Sequence, residues 1–324
     1  MPLRPPARAT PRLCLLTPAA LLALLPAAGC RRDDRGRYTV GFAQMESNNP
    51  WRLAQTASLR AEAARRGYRL VVTDALGQTA KQVNDVEDLI ARRVRVILLA
   101  PREYRGLAPA LEAAREAHIP VVLVDRQAAG VPGRDYVTFL GSNFVEQGRR
   151  AAEWLARATD GRATVVELTG TPGSSVATDR ARGFREELAR HPGMRVVASQ
   201  TGDFSRARGQ QVMRNLAQSL GAGFTAVYAH NDEMALGAIE ALRAAGRAPG
   251  RDVLVVSIDG ERAALEAIGR GELGATVESN PRFGPLAFET VEQLRRGERV
   301  PPAKLITDRF FDRANAARFV AEAY

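Results

Sequence analysis

The 324-residue chain is 45% hydrophobic and 25% charged, and its formal net charge at pH 7 is +10. Its length suffices for two lobes with separate cores, because single hydrophobic cores stop growing at about 250–300 residues. All its cationic residues except Lys81 and Lys304 are arginines, scattered beside glutamates on predicted helices. The sequence contains neither a basic arm nor alternating basic and aromatic residues, which argues against nucleic-acid binding.

The first thirty residues have the pattern of a secretory signal. Three arginines precede the apolar segment 13–25, which is too short to span a membrane comfortably, and small residues lead to Cys30. This arrangement is similar to a bacterial lipoprotein signal over residues 1–30, with a lipid attached to Cys30. Ala27 stands where such signals usually have leucine, so plain cleavage near residues 28–29 and an uncleaved anchor helix are the alternatives.

Cleavage would leave a charged tether, residues 31–36, ahead of the folded chain. It would also remove Cys14, so Cys30 would be the single remaining cysteine and no internal disulfide could form. We therefore expect a protein of the periplasm or cell envelope that a lipid on Cys30 attaches to the membrane.

A regular alternation of strands and helices begins at residue 38. The predicted strands are 38–42, 69–73, 94–100 and 119–124, and the predicted helices between them are 53–66, 79–92 and 104–117. A strand–helix repeat of about 25–30 residues predicts βαβ units and a parallel sheet.

A second series of elements follows. Its predicted strands are 136–140, 163–168, 195–199, 225–228, 253–258 and 274–278, and its predicted helices are 143–158, 174–190, 205–219, 232–245, 263–270 and 282–296. So many strands exceed one comfortable twisted sheet, so two doubly wound sheets side by side fit better. No long linker separates the series, which favours several short crossovers. The last helix and a last strand near 304–311 could return to either lobe.

Polar side chains follow most of the strands, where open α/β sheets bind their ligands. Those at or just beyond strand ends include Asn49, Trp51, Arg52, Asp125, Arg126, Arg180, Asn231, Asp259 and Glu278. Carboxylates and amides accept from paired hydroxyls, and the guanidinium fork donates to oxygens. An aromatic face packs on the C–H face of a sugar ring. The set therefore describes a polyol or sugar site better than a nucleotide or metal site.

Some residues near these strand ends have simpler explanations. Asp232 is predicted to cap the helix that it begins, and Ser174 and Ser205 are predicted caps as well. Asp125 and Arg126 could form a structural ion pair instead of binding a ligand.

Several kinds of chemistry are disfavoured. The three histidines, His118, His191 and His230, have no metal-ligand spacing and are interpreted as surface or packing residues. The glycine-rich segment 170–173 lacks the residues of a P-loop, and no dinucleotide fingerprint or nucleophile elbow is present. Arginines beside the carboxylates favour ionised, binding groups over glycosidic acid–base catalysis. We therefore expect a binding protein without enzymatic activity, cofactor or metal.

Five stretches together support a family resemblance. They are residues 48–50, 122–126, 166–170, 229–237 and 258–260. From residue 38 to its end, the chain resembles the periplasmic sugar-binding proteins of ABC transporters, in the ribose- and galactose-binding group with the type I fold. Three further stretches are most similar to the galactofuranose-binding members: 51–52, 178–180 and 199–204.

The resemblance implies an α/β fold of two doubly wound parallel-sheet lobes joined by a three-strand hinge. The first lobe would comprise 37–140 and 280–306, and the second 141–279 and 307–324. A monosaccharide would be captured between them and delivered to an ABC permease by a monomeric protein. A sensor that presents the sugar to a chemoreceptor or kinase is the alternative. A repressor of this fold would need a helix-turn-helix before residue 38, where the signal stands.

The resemblance also assigns ligand contacts. They would be Asn49, Trp51, Arg52, Asp125, Arg126, Arg180, Phe204, Asn231, Asp259 and Glu278. Trp51 and Phe204 would form aromatic walls on opposite lobes. Asn49 matches ribose binders, whereas Glu278 matches galactofuranose binders, so the sugar is expected to be galactofuranose-like, galactose-like or ribose-like.

Overall fold

A computed structural model describes residues 1–3 and 38–324 of the chain. The predicted signal, the lipidation of Cys30 and the tether lie outside the described residues, apart from the first three. Arg37–Tyr324 forms one compact unit. Within the described residues, every helix falls short of the length or the apolar character that crossing a membrane requires.

Strands and helices alternate through residues 38–324. The strands are β1 (Thr39–Gln44), β2 (Arg69–Asp74), β3 (Val96–Leu99), β4 (Val121–Val124), β5 (Thr138–Ser142), β6 (Arg162–Thr169), β7 (Gly193–Thr201), β8 (Ala226–Ala229), β9 (Leu254–Asp259), β10 (Ala275–Glu278), β11 (Ala303–Ile306) and β12 (Phe310–Asp312). The helices are α1 (Pro50–Arg65), α2 (Thr79–Ala91), α3 (Ala108–Glu116), α4 (Phe144–Ala158), α5 (Ser175–Leu188), α6 (Arg206–Leu220), α7 (Asp232–Ala244), α8 (Arg262–Gly269) and α9 (Gly284–Arg295).

The strands form two six-stranded sheets. The first has the order β11-β5-β4-β3-β1-β2 with every pair parallel, and the second has the order β12-β10-β9-β8-β6-β7. In the second sheet, β12 alone runs antiparallel to its neighbour, β10. Central strands such as β3 and β8 are buried along their whole length, as expected for parallel strands covered on both faces.

Helices cover both faces of each sheet. On the first sheet, apolar side chains of α1 and α9 pack on one face, and those of α2 and α3 pack on the other. On the second sheet, α4 and α5 cover one face, and α6 and α7 the other. The predicted fold of two doubly wound α/β lobes is therefore confirmed.

The chain crosses between the sheets three times: after β5, between β10 and α9, and between β11 and β12. In the last crossing, Asp308 accepts hydrogen bonds from Ser142 Oγ at 2.9 Å and from Gln147 Nε2 at 2.8 Å, which ties the first and third crossings together. The prediction of a single last strand near 304–311 is therefore wrong. The segment forms two strands, because residues 307–309 leave one sheet and join the other.

Side-chain caps define where several helices begin. Ser174 and Ser205 accept from the backbone N–H three residues further on, so both predicted caps are confirmed. Asp232, by contrast, is not the cap of α7. Extended backbone at Asn231 (φ −151°, ψ 168°) lets its Oδ1 accept from Met234 N at 3.0 Å, and Asp232 is the first helical residue.

Helices α4 and α5 approach each other closely through two glycines. A Cβ at Gly183 would lie 1.8 Å from the carbonyl oxygen of Val145, and one at Gly148 would lie 2.1 Å from that of Arg180. Because neither helix can accommodate a side chain at these positions, α5 is held at a fixed depth against α4. This packing sets the position of Arg180 relative to the second sheet.

Candidate functional site

A cavity of about 330 Å³ lies between the lobes, at the carboxyl ends of strands from both sheets. Its lining residues are Asn49, Trp51, Arg52, Asp125, Arg126, Val176, Arg180, Phe204, Asn231, Asp259 and Ser279. The structure thus brings together every predicted contact except Glu278. Part of this space is open to solvent, and the enclosed part is small, which suits one small ligand.

The lobes touch each other around this cavity. The backbone N–H of Tyr104 donates to the carbonyl of Gly173 at 2.9 Å, and that of Gln127 donates to Ser175 Oγ at 2.9 Å. Both bonds join a loop of the first lobe to the start of α5 or the loop before it. The structure is therefore a closed form, in which every lining residue except the half-buried Asn49 is buried.

Glu278 is placed outside the cavity, which corrects its inclusion among the contacts. Its Oε2 accepts from the backbone N and Nε of Arg309, both at 3.0 Å, and its Oε1 lies 2.8 Å from Arg309 Nη2. Arg309 belongs to the third crossing, so it turns the carboxylate toward the hinge. Ser279, the next residue, lines the cavity instead. Sequence reasoning also missed Val176, whose apolar side chain carries no chemical signal.

The first lobe contributes a buried cluster of three charged side chains. Arg52 donates to Gln55 Oε1 at 3.1 Å, and its Nη2 lies 2.7 Å from Asp125 Oδ2. Arg126 donates to the carbonyl of Arg102 at 2.8 Å, while its Nε, 3.8 Å from Asp125 Oδ2, has no hydrogen-bond partner within residues 38–324. This guanidinium therefore retains a donor for a ligand oxygen.

Burial lowers the pKa of Arg126 to about 9, and the positive charge of Arg52 adds to the effect. Asp125 acts in the opposite direction by attracting the guanidinium. At neutral pH Arg126 is therefore still charged, and it lines the cavity as a strong hydrogen-bond donor.

The second lobe contributes a guanidinium whose three nitrogens each donate one hydrogen bond within the protein. Arg180 donates through Nε to Gln147 Oε1 at 2.9 Å, through Nη1 to the carbonyl of His230 at 2.5 Å, and through Nη2 to Asp259 Oδ1 at 3.3 Å. These three directions fix the plane of its fork. Burial raises the pKa of Asp259 well above its ordinary value, and the attraction of Arg180 opposes the rise.

Two aromatic rings from opposite lobes complete the lining. Trp51 donates from Nε1 to the carbonyl of Ser279 at 2.7 Å, and the guanidinium carbon of Arg52 lies 4.6 Å from its ring centroid. The ring of Phe204 lies 5.2 Å from the guanidinium of Arg126 and 5.9 Å from that of Arg180. Both distances fit cation–π contact, so Phe204 links charges on the two lobes.

Asn49 and Asn231 have structural roles as well as a place in the lining. Asn49 Oδ1 accepts from Arg52 N at 2.9 Å and so caps α1. Asn231 caps α7 and donates from Nδ2 to the carbonyl of Phe204 at 3.2 Å. Each amide nitrogen carries two N–H groups, so one remains for a ligand.

Asp232 lies beneath the site rather than in it. Its Oδ1 accepts from the hydroxyls of Ser257 and Thr276, and its Oδ2 accepts from the backbone N–H of Glu261 at 2.7 Å. Burial raises its pKa to about 6, although these hydrogen bonds work against the rise. The residue therefore joins α7 to β9 and β10 and holds Asn231 and Asp259 in register.

His230 is a fully buried packing residue. Gly170 N donates to its Nδ1 at 3.4 Å, and its Nε2 lies 3.2 Å from Glu167 Oε1. A backbone N–H can only donate, so Nδ1 accepts and the ring proton is assigned to Nε2, which makes the imidazole neutral. Burial alone would raise the pKa of Glu167. Hydrogen bonds from His230, Ser199 and Arg185 outweigh burial and lower that pKa to about 2.

Acidification is expected to destabilise the folded chain through His230. Burial lowers the pKa of its imidazole, and the neighbouring charges of Arg180 and Arg185 lower it further, while Glu167 opposes the shift. Below about pH 6.5, the unfolded chain therefore binds a proton that the folded chain excludes, and the free energy of unfolding falls by at most about 1.4 kcal/mol per pH unit.

Urea unfolding between pH 5 and pH 7 measures this effect. Groups whose pKa is raised by burial, such as Asp232, act in the opposite direction, so the wild type is compared with His230→Gln, which shares them. The wild type should lose more stability than the variant on acidification. Equal losses in the two proteins would show that His230 does not carry the effect.

Among residues 1–3 and 38–324, no group of three or more His, Cys, Asp or Glu side chains is arranged to hold a metal ion. What the cavity offers instead is a set of fixed hydrogen-bond donors and acceptors around two aromatic rings. Such a set can hold a small polyhydroxylated molecule in one orientation.

The chain is similar in sequence to two sugar-binding proteins. Galactofuranose-binding protein YtfQ of Escherichia coli (strain K12) is 37% identical over 272 residues, which cover 83% of this chain and 86% of that protein. Ribose import binding protein RbsB of Bacillus subtilis (strain 168) is 35% identical, with 92% and 96% of the two chains covered.

A solved structure extends the comparison. The periplasmic binding protein component of the arabinose ABC transporter from Shewanella sp. ANA-3, bound to α- and β-L-arabinofuranose, is 38% identical, with a TM-score of 0.85 over 88% of this chain and 95% of that one. Residues 40–299 match the family model described as a periplasmic binding protein domain. The resemblance drawn from the sequence motifs is thereby confirmed, and the chain belongs to the family of periplasmic binding protein domains.

Proposed function

We propose that the chain is a solute-binding protein that captures one monosaccharide between its lobes and delivers it to an ABC permease. The observation that carries this proposal is the cavity, which is small, closed and lined by arginine–aspartate pairs and an aromatic ring from each lobe. Similar proteins named for the binding of galactofuranose, ribose and arabinofuranose support the proposal.

The charge balance of the cavity favours a neutral ligand. Arg52 is paired with Asp125, and Arg180 is paired with Asp259, so Arg126 is the one cationic lining residue without a carboxylate partner closer than 3.8 Å. A phosphorylated sugar would bring two negative charges against the two aspartates. Hydroxyl groups, by contrast, can accept from Arg126 and donate to both carboxylates.

We propose that the ligand is a sugar in the five-membered furanose form. Two of the similar proteins are named for furanose binding. The small space between the Trp51 and Phe204 rings also suits a single small ring. The placement of Glu278 in the hinge removes one argument for galactofuranose itself, so pentoses and hexoses remain candidates.

The family implies a periplasmic location, and we propose in addition that the protein is a monomer anchored by a lipid on Cys30 after signal cleavage. The pattern of residues 1–30 supports the anchor. Mass spectrometry of the protein from the cell envelope tests it. A diacylglyceryl modification on Cys30 is expected, and a mature chain that begins at residue 29 or earlier without lipid would contradict it.

A panel of sugars tests the proposed function. Thermal unfolding and calorimetric titration should be measured with L-arabinose, D-galactose, D-ribose, D-fructose, myo-inositol and D-galacturonate. We expect at least one neutral aldose to bind and to raise the melting temperature, and to be recovered unchanged by mass spectrometry. Binding of galacturonate alone would contradict the neutral ligand, and turnover of a sugar would contradict a pure binding role.

A further inference from the structure

We propose that Gly170 determines the largest sugar that the cavity accepts, because it sets the depth at which the Phe204 ring lies. Gly170 follows β6 and does not line the cavity, so it acts through Phe204 as a positioning residue. The inference rests on the proposed sugar-binding function and adds to it a determinant of ligand size.

The far edge of the Phe204 ring lies directly against the backbone of Gly170. A Cβ at residue 170 would be 1.9 Å from Phe204 Cζ and 2.2 and 2.4 Å from its two Cε atoms. Carbon atoms in contact stay about 3.5–4.0 Å apart. Any side chain at this position therefore requires the ring or the backbone to move by about 1.5 Å.

The backbone at Gly170 is held in place from several directions. Its N–H donates to His230 Nδ1 at 3.4 Å, and its carbonyl accepts from Thr201 Oγ1 at 3.0 Å. His230 in turn contacts the buried carboxylate of Glu167 in the middle of the sheet. Moving residue 170 away from the ring would disrupt this buried network.

The backbone of Phe204 is equally constrained. Asp203 and Phe204 both have left-handed backbone conformations, with φ of 54° and 56°. The carbonyl of Phe204 accepts from Asn231 Nδ2 at 3.2 Å, and Ser205 caps α6 immediately afterwards. The side chain is thus the part that can yield, and the cavity is the open space beside it.

The ring also has neighbours that resist sideways movement. The guanidinium carbons of Arg126 and Arg180 lie 5.2 and 5.9 Å from the centroid of the ring. Arg180 is itself fixed by three hydrogen bonds. A side chain at residue 170 would therefore push the ring into the cavity. The space lost would be about that of one hydroxymethylene group, which is the difference between a pentose and a hexose.

The test compares two sugars in the Gly170→Ala variant. Dissociation constants for L-arabinose and D-galactose are measured by calorimetry in the wild type and the variant. The furanose fraction of each free sugar is the same in both titrations and cancels in the ratio. We expect the affinity for D-galactose to fall at least about tenfold more than that for L-arabinose, since one methylene in a tight pocket changes affinity about 10–200-fold.

A matched control and a second variant separate size selection from general damage. Gly269→Ala adds the same methyl group at the end of α8, where no atom lies within 4 Å, and should leave both constants unchanged. Phe204→Leu shortens the side chain instead, so it should shift the preference toward D-galactose. In the double variant with Gly170→Ala, the ratio of the dissociation constants for D-galactose and L-arabinose should return toward the wild-type value. Such a return would show that the two positions are coupled.

Equal losses for the two sugars in Gly170→Ala, or no shift toward the hexose in Phe204→Leu, would overturn the inference while leaving sugar binding intact. If the wild type binds neither of these sugars, the inference fails, and if it binds no sugar of the wider panel, the proposed sugar-binding function fails as well. Urea unfolding of each variant checks that the comparison is made on folded protein.

Discussion

Replacement of Asp259 by asparagine is expected to weaken sugar binding at least tenfold. The carboxylate is buried beside the ligand cavity and holds Arg180 Nη2 at 3.3 Å. A hydrogen bond to a charged group contributes about 1.5–3 kcal/mol, which corresponds to about a 10- to 150-fold change in affinity. Asparagine is preferred to alanine because residue 259 has φ of 143°, which asparagine tolerates better.

Calorimetric titration with the sugar that binds the wild type best provides the measurement. Asp88→Asn is the matched control, since this exposed carboxylate on α2 pairs with Arg92 at the end of the helix and should leave affinity unchanged. Wild-type affinity in the Asp259→Asn protein would remove Asp259 from the site.

Glu167→Gln is expected to lower the free energy of unfolding by about 2–3 kcal/mol. The carboxylate of Glu167 is fully buried on β6 and accepts from Ser199 Oγ at 2.7 Å and from Arg185 Nη2 at 2.5 Å, with His230 on its other oxygen. An amide presents an N–H₂ group in place of one oxygen, so a buried donor then faces another donor. That mismatch adds to the loss of the charged hydrogen bonds.

Urea unfolding at pH 7 measures this loss, with Glu266→Gln on the exposed face of α8 as the control. A difference below about 0.5 kcal/mol between Glu167→Gln and the control would mean that the network beneath the cavity contributes little to stability.

Most residues of the candidate site could be predicted because their polar side chains follow predicted strands. Residues such as Asp125 and Asp259 follow apolar runs directly, and parallel strands bring their carboxyl ends to one edge, so a list along the chain becomes a cluster in space. The lobe architecture followed from the strand–helix repeat in the same way. Phe204 had no such signal and came from family resemblance alone.

The misassigned residues share a physical cause. Whether Glu278 or Ser279 faces the cavity depends on which face of the sheet each side chain takes, and that choice was decided by Arg309, 31 residues later in the chain. Likewise, the cap of α7 lies one residue earlier than the sequence predicted, so Asn231 is the cap and Asp232 is a buried helical residue. Such one-residue differences depend on tertiary partners that periodicity does not encode.

Gly170 illustrates what sequence patterns leave out. In the sequence it belongs to a glycine-rich turn that is not a P-loop and to the stretch 166–170 that supports the family resemblance. Neither pattern indicates that the Phe204 ring, 34 residues later, rests against it. The close approach becomes visible once β6 and β7 are paired, because their carboxyl ends then lead both residues to the same edge.

The central claim is that one monosaccharide binds between the lobes, in the cavity built from both sheets. A crystal structure of the protein grown with a saturating concentration of its best-binding sugar tests this most directly. We expect one sugar ring in the cavity, with its oxygens in hydrogen-bond contact with Arg126 and Asp259 and one face against an aromatic ring. A sugar bound elsewhere on the protein, with the cavity holding only water, would contradict the account.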